Sequence, residues 1–178
     1  MTKETIATRD GKCPAFVFRP YGPENAGPWP AVIVFMDGIG MRPALEPIAQ
    51  RIADHGYFVI MPDMFYRAGA YTAEPARIFS DMEFRNEWFK KVSSLRTGDN
   101  LRSDLEAYLA FLEKHPEVKG PKVGTTGYCM GGRISMQAAG WFPDRVVAAG
   151  AFHPGGLATD EPESPHLLAP QMKAKVYV

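Results

Sequence analysis

One stretch constrains this 178-residue chain more than any other: Lys122–Gly140, KVGTTGYCMGGRISMQAAG. Val123, Thr125 and Thr126 predict a short β-branched strand. Gly127-Tyr128-Cys129-Met130-Gly131 predicts a tight turn. Gly131 and Gly132 then open a helix whose apolar face carries Ile134, Ala138 and Trp141 at spacings of four and three. The glycines two positions either side of Cys129 have a steric logic, because a side chain at either would strike the neighbouring strand or helix.

Two accounts of Cys129 are open. A free cysteine is often only a small core residue. A thiol at a helix start, by contrast, sits beside the positive end of the helix dipole, which favours thiolate. The strand before the turn, the second glycine at 132 and the amphipathic helix after it favour the nucleophile: this is the pattern of a nucleophile elbow. The backbone N–H of Met130, the next residue, would then form half of an oxyanion hole.

These residues carry a resemblance. Gly127-Tyr128-Cys129-Met130-Gly131-Gly132 resembles the G-[YF]-C-x-G-G elbow of the dienelactone hydrolase family, which uses cysteine where most relatives of the α/β-hydrolase fold use serine. PAVIVFMDGIG, residues 30–40, and GYFVIMPD, residues 56–63, resemble that family's two preceding strands, in the same order. The likeness runs from about residue 12 to the end of the chain. It implies an α/β-hydrolase fold, a small-molecule ester or lactone as substrate, a thioester on Cys129, and neither metal nor organic cofactor. It also implies an acidic residue at Asp37, near the nucleophile and controlling its protonation, where the family usually has glutamate. Basic residues hold a substrate carboxylate in that family, and Arg67 and Arg85 are the candidates here. The plainer accounts are a loop carboxylate bonded to backbone for Asp37 and solvated surface side chains for the two arginines.

Composition narrows the setting. A chain of this length is expected to form one domain, 1–178, with a proper core. Twenty basic residues balance twenty acidic ones, which argues against nucleic acid or an anionic membrane as partner. No apolar run approaches the roughly 18 residues of a membrane span, and the polar Met1-Thr-Lys-Glu start does not read as a signal peptide. Two cysteines make no disulfide framework, so a reducing cytoplasm is the expected compartment. A monomer or a homodimer is equally compatible with these features.

Taken in order, Thr5–Thr8 and Ala15–Arg19 flank an Asp10-Gly11 hairpin turn, and Cys13 within it reads as structural. Residues 21–30 read as loop, 31–36 and 57–61 as buried strands, and 44–55 and 99–115 as helices. The aromatic-rich stretch 63–98 reads as irregular, with one helix from about Asp81. Val146–Phe152 reads as a strand, the Pro-rich 153–171 as loop, and Ala174–Val178 as the start of one more strand. Alternating strands and helices predict a mostly parallel, doubly wound sheet.

In such sheets ligands bind beyond the carboxyl ends of the strands. Asp37-Gly38, Asp63–Arg67, Cys129-Met130 and His153-Pro154-Gly155 are expected to converge there. Gly38 is the candidate for the second oxyanion N–H, and His153 is expected to line the pocket. A base and an orienting acid should follow the nucleophile as acid then histidine. The family's acid lies just after the strand that begins here at Ala174, and its histidine later still. The expectation is therefore an α/β-hydrolase fold lacking its C-terminal strands and helices, truncated near Val178 and not a competent enzyme by itself. Asp160 and His166 offer a substitute pair in the right order. A non-catalytic binding or scaffold relative and a doubly wound nucleotide-binding module are the alternatives, the latter opposed by the absence of G-x-G-x-x-G spacing and of a phosphate-loop lysine.

Overall fold

The computed structural model describes residues 1–22, 26–94 and 98–178. Part of the expected 21–30 loop and the junction before the 99–115 helix thus lie outside the described residues. Seven strands form one sheet: β1 Thr2–Thr8, β2 Gly11–Phe18, β3 Trp29–Phe35, β4 Phe58–Pro62, β5 Val118–Tyr128, β6 Val146–Phe152 and β7 Lys175–Tyr177. Their order is β1-β2-β4-β3-β5-β6-β7. The first two form an antiparallel hairpin around Asp10-Gly11, and β2 joins β4 antiparallel. From β4 to β7 every pairing is parallel, with Ile33 opposite both Ile60 and Thr125, Thr125 opposite Ala149, and Gly150 opposite Tyr177. This is the mostly parallel sheet that the alternating pattern predicts.

The helices are α1 Glu46–Ala53, α2 Pro75–Ser80, α3 Met82–Ser94, α4 Gly98–Lys114, α5 Met130–Trp141 and α6 Pro165–Leu168. None is long and apolar enough to cross a membrane. Two departures from the sequence reading share one cause. Residues 63–98 hold α2 and α3 rather than a single helix, and the Pro-rich 153–171 stretch contains α6. Pro75 and Pro165 stand in the first turns of these helices. There the missing N–H would have no intrahelical partner anyway and the fixed φ suits the helix, so a residue that breaks a helix interior starts one.

Burial is uneven across the sheet. All five residues of β4 are buried, and an apolar run enclosed on both faces is what a central parallel strand requires. In β5 and β6 burial alternates: Val123, Thr125, Gly127, Ala149 and Ala151 are buried, while their neighbours are partly or fully exposed. The buried face lies under α5, where Thr125 Oγ1 and Ser135 Oγ share a hydrogen bond of 2.8 Å across the strand–helix layer. The other face is an open apolar trough of about 620 Å³, floored by Gly124, Thr126, Ala148, Gly150 and Phe152 and walled by Ile52 and Tyr177. All of β7 is exposed.

Candidate active site

The elbow is built backbone against backbone. A Cβ at Gly127 would overlap the main chain of Gly131, and one at Gly131 would overlap the carbonyl of Phe35 at the end of β3. Both glycines are required by close approach, and that approach seats the start of α5 on the mouth of β3. At Gly132 an added Cβ would come within 3.2–3.3 Å of the Gly127 carbonyl, Pro154 Cβ and Phe152 N. The end of β6 therefore crosses the same turn.

Cys129 sits between these contacts at φ 53, ψ −115. It and His153 (φ 40) are the non-glycine residues with positive φ among those described. A side chain held in this region is strained by about 1–3 kcal/mol and persists only where the surroundings over-determine it. Here the Cys129 N–H donates to the Phe152 carbonyl at 2.9 Å, and the Cys129 carbonyl accepts from the N–H groups of Gly132 (3.1 Å) and Arg133 (3.3 Å). The backbone is pinned from both sides and the thiol is left exposed.

Neither the Met130 N–H nor the Gly38 N–H finds an acceptor among the described residues, and Gly38 is buried. Asp37, ahead of Gly38, is held by Arg42 through Nη1–Oδ1 at 2.7 Å and Nη2–Oδ2 at 2.6 Å. The Asp37 carboxylate also accepts from the Ile39 N–H at 2.9 Å. The backbone-bonded carboxylate that the sequence allowed is therefore present, with a bidentate arginine added.

The four expected segments do not all converge. Those after β3, β5 and β6 meet through the glycine contacts above. The one after β4 joins indirectly: Tyr71 Oη donates to Asp63 Oδ1 at 2.8 Å and accepts from the Met41 N–H at 3.0 Å. Burial raises the Asp63 carboxyl above its ordinary range, partly offset by that Tyr71 bond. Arg67 turns the other way. Its guanidinium donates to both oxygens of Asp104 (2.6 and 2.8 Å) and to Asp10 (2.7 Å). It is neither solvated surface nor a free anion-binding group; it ties the β1–β2 turn to α4. Arg85, half-buried on α3, makes no ion pair among the described residues.

No histidine bonds the Cys129 thiol among the described residues. His153 is exposed, its ring 6.0 Å from that of Tyr128. The substitute pair does not form among the described residues: no bond joins Asp160 to His166, whose Nδ1 instead meets Ser164 Oγ at 2.7 Å. Among the described residues no histidine–carboxylate pair lies within hydrogen-bond reach of Cys129. Sequence reasoning missed Arg42 and Trp88, whose indole N–H donates to the Gly38 carbonyl at 2.9 Å. An arginine five residues after Asp37 was a legible hint; nothing local could link position 88 to position 38.

Comparison with known proteins bears on the family and the fold. The model of the dienelactone hydrolase family matches residues 14–178. A Methylorubrum extorquens protein provisionally named as a carboxymethylenebutenolidase is 29% identical over 175 residues, covering 96% of this chain and 56% of its own length. The carboxymethylenebutenolidase of Pseudomonas putida is 27% identical over 127 residues, covering 71% of this chain and 52% of its own. The crystal structure of a provisionally named dienelactone hydrolase from Klebsiella pneumoniae superposes with a TM-score of 0.78 at 25% identity, over 98% of this chain and 69% of that one. The chain spans about half the length of the curated relatives it matches.

Proposed function

The chain belongs to the dienelactone hydrolase family, and from that membership we propose that Cys129 is the nucleophile of a hydrolase acting on a small ester or lactone. The observation that carries the reading is the Cys129 backbone: a cysteine held at φ 53 on an exposed turn, with helix α5 behind it. Strain of this kind at an exposed nucleophile is a feature of sites, not of cores.

In this reading the Cys129 thiolate attacks the carbonyl carbon. A C–S bond forms while the carbonyl π pair moves onto oxygen, and the N–H groups of Met130 and Gly38 hold the resulting oxyanion. Collapse breaks the ester C–O bond, leaving a thioester and releasing the alcohol oxygen, which in a lactone stays tethered. Water then hydrolyses the thioester, freeing the acid and the thiol. Asp37 can act on the thiol proton only by loosening its hold on Arg42, so the pair is proposed to set the charge beside the nucleophile. His153, exposed beside Tyr128, forms a wall of the site. Arg85 is the remaining candidate for a substrate carboxylate, the group that a carboxymethylene lactone would present.

With an activated aryl ester, whose phenolate leaves readily, acylation is expected to outrun hydrolysis of the thioester, so thioester accumulates. The test is rapid mixing with p-nitrophenyl acetate. About one equivalent of p-nitrophenolate should appear as a burst, and Cys129→Ala should abolish it; an equal burst from Cys129→Ala would sink the reading. A second reading, a non-catalytic relative that keeps the sheet, would be selected by absence of any burst in the unaltered protein.

A further inference from the structure

Gly38 is held more firmly than a glycine in a loop need be. The Asp37 carbonyl accepts from the Gly40 N–H at 3.3 Å, so across the trans peptide the Gly38 N–H points the opposite way. The next peptide plane is fixed at both ends: the Ile39 N–H donates to Asp37 Oδ1 at 2.9 Å, and the Gly38 carbonyl accepts Trp88 Nε1–H at 2.9 Å. Trp88 comes from α3, fifty residues away in the chain. It is buried, with its ring 5.8 Å from Phe65 and 5.5 Å from Tyr71. Phe89, one residue on, lies 3.1 Å from where a Gly38 Cβ would be.

We propose that Trp88 is a positioning residue for acyl transfer: its indole N–H, locked by Phe65 and Tyr71, fixes the Gly38 peptide so that the Gly38 N–H stays aimed as an oxyanion donor. This rests on the Cys129 reading and adds to it the source of the donor's alignment. Helix α3, with Phe65 and Tyr71 behind it, then serves as a buttress for the oxyanion loop. An indole suits the task because it is a donor only, on a rigid and largely apolar body. A donor contributes to catalysis in proportion to how little it must reorganise as charge develops.

The test separates two reactions of one thiol. Iodoacetamide alkylates Cys129 by displacing iodide, with no oxyanion, so its rate reports access and thiolate. p-Nitrophenyl acetate acetylates it through an oxyanion: the C–S bond forms, the C–O bond breaks and p-nitrophenolate leaves with the electron pair. Trp88→Phe keeps an aromatic ring against Phe65 and Tyr71 and removes the N–H. It should slow acetylation about tenfold, less than the roughly hundredfold or greater loss from deleting a donor outright, while leaving alkylation within about twofold. Should Trp88→Phe fail to fold, 3-benzothienylalanine at position 88 preserves the shape and puts sulfur in place of the N–H. An unchanged ratio of the two rates in a folded variant overturns the proposal while the nucleophile reading stands. A chain with unaltered Trp88 that alkylates but never acetylates at Cys129 overturns both.

Discussion

The two cysteines of this chain show how differently one fold can treat the same side chain. Cys13 lies on β2, fully buried, its Sγ 3.4 Å from the Asp63 carbonyl and 3.6 Å from Tyr108 Oη. Burial pushes its thiol up to about 12. Its backbone is ordinary strand. Cys129 is exposed, its backbone is strained, and its Sγ makes no hydrogen bond among the described residues. Packing and hydrogen bonds hold Cys13 inert, whereas at Cys129 the main chain takes all the constraint and leaves the sulfur free. The proposed reactivity of Cys129 therefore rests on the glycines around the thiol rather than on partners of the thiol.

The largest way to break that contrast is therefore at Gly131. Its α-hydrogen faces the Phe35 carbonyl, and backbone cannot yield as a side chain tip can. Gly131→Ala should lower unfolding free energy by about 3 kcal/mol or more, read from urea or guanidinium denaturation. It should also remove the difference in reactivity between the two thiols. A variant of unaltered stability would show that the elbow is looser than the close contact requires.

Next in size is Arg67. It packs, partly buried, against Asp104, which is itself almost wholly buried. Arg67→Ala strands that carboxylate and should destabilise the fold by about 3 kcal/mol, whereas Arg85→Ala should stay within about 0.5 kcal/mol. Equal stability of the two variants would contradict the structural role assigned to Arg67.

These residues also mark how far the sequence could be read. The hairpin at Asp10-Gly11, the buried strands β3 and β4 and the elbow were legible because each is a local pattern: a turn dipeptide, an apolar run, glycines at fixed offsets. The division of residues 63–98 into α2 and α3 was not, because proline has opposite meanings inside a helix and at its start. Arg67 looked like a surface or substrate-binding arginine because its partners, Asp10 and Asp104, lie 57 and 37 residues away. The Trp88–Gly38 bond is hidden in the same way, spanning 50 residues. Contacts between distant segments leave no periodic trace, and the buttress of the site is of that kind.

A smaller effect sharpens the comparison from the Cys13 side. Because its folded-state value lies above the ordinary 9.0, near 12, the share of stability tied to its protonated form is complete below about pH 9 and is lost as pH rises toward 12. Unfolding free energy should fall by about 2 kcal/mol between pH 8.5 and about 10.5 on this account. Cys13→Ala, though less stable at neutral pH, should show a shallower decline. Parallel curves for the two proteins would assign the alkaline loss elsewhere, with Tyr108, whose hydroxyl burial also raises, as the next group to test.

The most direct test of the central claim places both thiols in competition for one acyl group. The folded protein is treated with limiting p-nitrophenyl acetate, digested at low pH and mapped by mass spectrometry. The account predicts acetyl on the Cys129 peptide alone, removed by neutral hydroxylamine as a thioester should be, and none on Cys13. Acetyl on Cys13, or only on lysines, with Cys129 unmodified, would contradict it.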